Sequence, residues 1–177
     1  MTEICSRYDS LKSHQKDIDD VFRHHNERLI KVRNLSVLIA EEIENLGAFL
    51  EQHTSVVCPA CTSVCCINRH SYHAFDDLVY IYAVGGKIPP HNSVLDDSGP
   101  CQFLGQMGCT IARPLRPYRC NWYFCSPLLA HITTRNSNRQ YRLFIKLLQE
   151  ITEKRQKMME EYVSAVKKMS TDMLISG

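Results

Sequence analysis

All seven prolines of the chain lie between residues 59 and 127. Proline fixes φ and removes a backbone donor, so long helices are confined to the proline-free runs. Two such runs flank the proline-bearing segment. Residues 1–53 hold no proline and a single glycine, Gly47, and residues 137–175 hold neither. In the first run Phe22, Leu29, Ile43 and Leu50 fall in one row and Val32, Ile39 and Leu46 in the next, with His25 and Ser36 as polar interruptions. In the last run Tyr141, Leu148, Tyr162 and Met169 repeat at seven, Phe144, Ile151, Met158 and Ala165 form the companion row, and Arg155 interrupts. Apolar steps of four and three mark a helix with a narrow apolar stripe. The expected architecture is mainly α. Long helices over 18–53 and 139–175, each ~50 Å at the α-helical rise, pack antiparallel through their stripes. A cysteine-rich, loop-rich metal-binding module is inserted between them. The chain thus divides into 1–53, 54–136 and 137–177.

The middle segment holds five of the seven glycines beside the prolines. Its best helix is expected at about 72–84, with Phe75, Leu78, Val79, Ile81 and Tyr82 as apolar positions. Asp76 and Asp77 suit the positive end of the helix dipole, Gly85-Gly86 stop the helix, and Pro89-Pro90 prevent a restart. The remainder reads as turns, including Asp96-Asp97-Ser98-Gly99-Pro100. Ser137 with Gln140 fits a capping box at the start of the last helix.

Charge excludes little by itself but removes two partner classes. Lys plus Arg number 21 against 19 Asp plus Glu, a formal net charge of +2, which gives no electrostatic basis for nucleic acid or an anionic membrane. No apolar run approaches the ~20 residues that a membrane span needs. Residues Met1–Arg7 lack a basic-then-apolar signal pattern, so a cytoplasmic location is expected. The stripes of the long helices are expected to bury each other, and otherwise to serve a protein partner or a homodimer.

Nine cysteines are present, and eight of them fall within the 68 residues from Cys58 to Cys125. An odd total without a secretory signal argues against a disulfide scaffold, and clustered thiols in a reducing compartment read as metal ligands. Cys58, Cys61, Cys65 and Cys66 form C-x2-C-x3-C-C; Cys101, Cys109, Cys120 and Cys125 follow at intervals of seven, ten and four residues. Two intervening residues allow a tight turn to bring both thiolates onto one ion. The adjacent Cys65 and Cys66 point to opposite sides if the backbone is extended, so one tetrahedral ion does not take both. Zinc and iron–sulfur both accept four thiolates. Three cysteines within eight residues resemble cluster-binding runs more than zinc knuckles, which favours a 4Fe-4S cluster with zinc as the alternative. His53, His70, His73 and His91 flank or lie within the module and read as surface or hydrogen-bonded histidines, because the thiolates suffice.

Cys58 to Cys66, then Cys101-Gln102-Phe103-Leu104, Gly108-Cys109-Thr110-Ile111 and Arg116-Pro117-Tyr118-Arg119-Cys120 follow in order. In this the chain resembles the YkgJ-type cysteine-cluster family, a zinc- or iron-chelating domain with a C-x2-C run, C-x-F-L, G-C-x-I and R-P-x-x-C. A related cluster occurs in flagellin lysine methylase. The resemblance covers about 70 residues and implies metal binding without supplying a reaction. Asn121 stands where the family often has Arg, and the long flanking helices are no part of its pattern.

Beside that resemblance, Arg116 is a candidate to donate hydrogen bonds to thiolates or sulfides, or else simply stabilises its turn. Trp122, Tyr123 and Phe124 are candidates to shield the centre or to join the core. The expected function is metal binding, with an iron–sulfur cluster in a redox, sensing or assembly role. The alternatives are a structural zinc interaction protein and a cluster-dependent methyl-transfer or redox enzyme. The cysteine spacing is not that of a radical adenosylmethionine enzyme, and no glycine-rich phosphate loop is present.

Overall fold

A computed structural model describes residues 14–60, 66, 72–90, 92, 99–106, 108–135 and 138–175. Six α-helices dominate: α1 (14–24), α2 (Ile30–Val57), α3 (Phe75–Ala83), α4 (Arg119–Trp122), α5 (Ser126–Arg135) and α6 (Asn138–Ile175). Two short strands, β1 (Leu104–Gly105) and β2 (Gly108–Cys109), pair antiparallel with Leu104 opposite Cys109. The chain forms two compact units, one of residues 1–40, 74–88 and 152–177, the other of 41–73 and 89–151. Their boundaries fall inside α2 and α6, so the cysteine-bearing loops share a unit with 41–57 and 138–151.

In the first unit the predicted stripes are buried. Ile18, Phe22, Leu29, Val32, Ile39, Met158, Tyr162 and Met169 are among its core residues, and Phe22 stacks on Tyr162 with ring centres 6.1 Å apart. Ion pairs Arg28–Asp172 and Lys31–Glu161 run in opposite chain directions, as antiparallel helices require. Two of the three polar interruptions of the stripes, Ser36 and Arg155, are matched. The Ser36 hydroxyl donates to the Val32 carbonyl at 2.8 Å and lies 3.1 Å from the Met158 sulfur. Arg155 is buried against Asp76 and Asp77, each at 2.7 Å.

The expected single N-terminal helix is two helices. His25 leaves helical geometry at φ −130° and ψ 31°, and a 3-10 turn, Asn26–Leu29, precedes α2. The Arg33 guanidinium consequently lies 5.4 Å from the centre of the Phe22 ring. In an unbroken helix eleven residues span ~16 Å, so α1 folds back. Across the break the Asn26 side chain accepts from Arg33 Nε at 2.6 Å.

Helix α3 is shorter than the predicted 72–84, and its ends follow the expected chemistry. Asp77 accepts from the Ala74 N–H at 3.0 Å. At the other end Gly86 N–H donates to Ile81 and Gly85 N–H to Tyr82, with Gly85 at φ +71°, which is a Schellman termination.

In the second unit Leu46, Leu50, Leu128, Ile132 and Ile151 are buried, and Phe49 stacks on Phe144 at 4.5 Å. Helix α5 lies where turns were expected. Its signals are local: Pro127 in the first turn, where a missing N–H costs nothing, and Leu128 and Ile132 four residues apart on one face. The Ser137 capping box lies outside the described residues, as do the turn at 96–98 and part of the loop around 61–71.

Candidate thiol and arginine site

Six cysteines of the second unit are described, and all are thiols: Cys58, Cys66, Cys101, Cys109, Cys120 and Cys125. Cys61 and Cys65 lie outside the described residues. Each described cysteine is held by a different local element. Cys58 opens the 3-10 turn that ends α2. Cys66 and Cys101 are joined through their backbones, the Cys101 N–H donating to the Cys66 carbonyl at 2.6 Å, which brings the two halves of the cysteine sequence together. Cys109 sits on β2 opposite Leu104. Cys120 lies in α4 and is exposed, and the Cys125 carbonyl accepts from Leu129 to start α5.

Cys109 and Cys120, eleven residues apart, both bear electrostatically on Arg113, a residue that sequence reasoning did not single out. Arg113 begins the 3-10 turn Arg113–Leu115, and its side chain is only 10 % exposed. Burial, then the neighbouring Arg116, lower its affinity for the proton; Glu51, Cys109 and Cys120 act in the opposite sense. Glu51 lies 3.8 Å from Arg113 Nε, an ion pair beyond hydrogen-bond length. Among the described residues Nε has no hydrogen-bond acceptor. Arg116, the predicted cofactor contact, has its Nε engaged by the Ile111 carbonyl at 2.8 Å. That bond closes the turn after Cys109.

Asn121, next to Cys120, is fully buried, and neither its amide oxygen nor its nitrogen is paired among the described residues. A buried amide with all its polar atoms unmet is rare. The departure from the resembled family thus falls at a polar, enclosed position.

The histidines divide. His73 Nε2 pairs with the Leu115 carbonyl at 2.9 Å, and its ring packs edge-on to Phe103, which accounts for it structurally. His53 is buried between Phe49 and His131, ring centres 4.7 and 5.4 Å away; it is not a surface histidine. His70 and His91 lie outside the described residues. Of the three aromatics after Cys120, Trp122 and Tyr123 are exposed, so neither joins the core. Phe124 packs on Phe144.

An open groove of about 510 Å³ lies one residue from Cys101 and from Cys109, walled by Pro89, Pro90, Gln102, Phe103, Thr110 and Leu115 among others. Among the described residues that line it, none carries an ionisable side chain.

The donor chemistry suits a soft metal or an iron–sulfur centre, since the clustered ligand candidates are sulfur and the adjacent charges are positive. Among the described residues no group of three or more potential ligands is gathered as a metal site. No helix among them is long and apolar enough to cross a membrane. No protein family, curated protein or solved structure matches the chain.

Proposed function

We propose that the second unit is a thiolate metal-binding module of a cytoplasmic protein, holding an iron–sulfur cluster in a redox, sensing or assembly role. The observation that carries this reading is the backbone hydrogen bond from the Cys101 N–H to the Cys66 carbonyl at 2.6 Å, which ties the second group of cysteines to the first. Four thiolates around iron or zinc give a centre with net negative charge, and buried guanidinium groups offset it. Cys58, Cys61, Cys65, Cys109, Cys120 and Cys125 supply the further thiolates, the first three through the C-x2-C-x3-C-C run that ends at Cys66. The likeness to the YkgJ-type family points the same way.

The test is anaerobic purification followed by metal analysis and an absorption spectrum. A brown protein with iron, sulfide and absorbance near ~400 nm, characteristic of thiolate-ligated clusters, is expected. Cys109→Ser and Cys120→Ser lose it, while Cys5→Ser, outside the cluster, keeps it. Wild-type protein with neither iron nor zinc refutes the proposal.

A second reading, a zinc-stapled interaction protein, draws on Ile30, Val37 and Leu38, which are exposed along α2. A colourless zinc protein that self-associates through this helix selects it.

A further inference from the structure

Cys66 and Cys101 are 35 positions apart in sequence, yet their backbones touch. The Cys101 N–H donates to the Cys66 carbonyl at 2.6 Å. That bond limits how far apart the residues can be. With standard backbone dimensions the two Cα atoms lie within ~6.5 Å of each other, even if the hydrogen bond is fully extended. A disulfide spans Cα separations of ~4.4–6.8 Å. The backbone therefore already stands at the spacing that a covalent bond between these residues requires.

The surroundings hold that spacing. The Cys101 carbonyl accepts from the Leu104 N–H at 2.8 Å, so both backbone polar atoms of Cys101 are engaged. Leu104 opens β1 opposite Cys109, and the Thr110 N–H donates to the Phe103 carbonyl at 2.8 Å, so Cys101 sits at the base of a hairpin. Both residues are thiols in the structure, Cys66 half-buried and Cys101 buried. A thiol that reagents can reach thus stands beside one that they reach less readily.

We infer that Cys66 and Cys101 are a redox-modification site, forming a reversible intramolecular disulfide by exchange with a small-molecule disulfide of the glutathione class. The Cys66 thiolate attacks one sulfur of the small disulfide. Its S–S bond breaks, one small thiolate leaves, and a mixed disulfide forms on Cys66. The Cys101 thiolate then attacks the Cys66 sulfur and expels the second small thiolate. The protein loses two electrons and two protons, and the small disulfide takes up both as two thiols. In a reducing compartment such bonds are typically transient and redox-sensing. The inference does not require the metal-binding reading above. Where these thiolates hold metal, metal and disulfide draw on the same sulfur atoms.

The test uses the full chain as purified. It is equilibrated anaerobically with mixtures of oxidised and reduced glutathione, remaining thiols are alkylated, and peptides are mapped by mass spectrometry. Metal content is followed at each ratio. The Cys66–Cys101 linked peptide should be the principal disulfide at intermediate ratios and disappear when reduced glutathione is restored. Cys101→Ser should stop after the first step, with glutathione held on Cys66. In urea the preference should be lost to pairs nearer in sequence, such as Cys58 with Cys61, because a shorter loop is easier to close. If Cys101→Ser does not fold, the wild-type maps with and without urea decide. The inference is overturned if both thiols remain alkylatable at every ratio, if either is linked mainly to another cysteine, or if the same pairing dominates in urea. Linked peptide in a protein that never held iron or zinc removes the metal-binding reading and leaves this one standing. Bound metal without the linked peptide does the reverse.

Discussion

Arg155 and Asp77 form a buried ion pair at 2.7 Å, with both side chains about one-twentieth exposed. Arg155 also reaches Asp76 at 2.7 Å and lies 5.5 Å from the centre of the Tyr80 ring. The pair fastens α3 to α6 at the point where the apolar stripe of α6 is interrupted. Removing one partner leaves an uncompensated buried charge, which costs about 3–5 kcal/mol. Asp77→Ala is expected to destabilise the first unit on that scale in urea titration. Asp76→Ala, at a half-exposed carboxylate, is expected to cost about 1 kcal/mol or less. Equal effects for the two would show that burial does not set the strength of the pair.

Gly85 ends α3 at φ +71° with nothing within 4 Å of an added Cβ. The cost of a side chain there is purely conformational. Gly85→Ala is expected to lower stability by about 1–2 kcal/mol, the penalty of the left-handed region for an L-residue, read from the shift in urea midpoint at constant m-value.

Burial first, and then the proximity of His131, hold His53 below the ordinary histidine range in the folded chain. The neutral ring is therefore the form the fold prefers. In the unfolded chain the imidazole titrates at about 6.5. Above that pH the contribution of His53 to stability is fully present; as pH falls toward the lower folded value, the unfolded state takes up the proton first and stability is lost. A melting-temperature profile from pH 8 to 5 should fall more steeply for wild type than for His53→Leu. Parallel profiles would exclude His53 as the cause.

Metal removal should act on one unit. Turn-rich segments of this size rarely stay ordered without a staple. In chelator, amide exchange should accelerate over residues 99–125 and stay slow over 75–83 and 152–170, where the first unit has its own core. Uniform loss of protection would mean that the two units melt together.

The apolar rows and the proline distribution determined the helical class, the two long helices and most of their buried faces. Leu29, Val32, Ile39, Ile151 and Met158 were legible because a period near 3.6 leaves one face dry whatever the partner. The stop of α3 was legible at Gly85-Gly86 because it depends on a few neighbouring residues. The crowding of eight cysteines into residues 58–125 was legible; which of them lie near one another in space was not. Tertiary structure decided what local pattern does not encode. The break at His25 had no proline or glycine to announce it, and the burial of Ser36 and Arg155 depends on Met158 and Asp77, which only the fold brings near. Arg113 carried no motif, and Gly47 stood out only as the single glycine of residues 1–53. A Cβ at residue 47 would lie 2.7 Å from Cδ of Arg113. Their connection is a steric fact between residues 66 positions apart, and sequence periodicity carries no information about contacts of that kind.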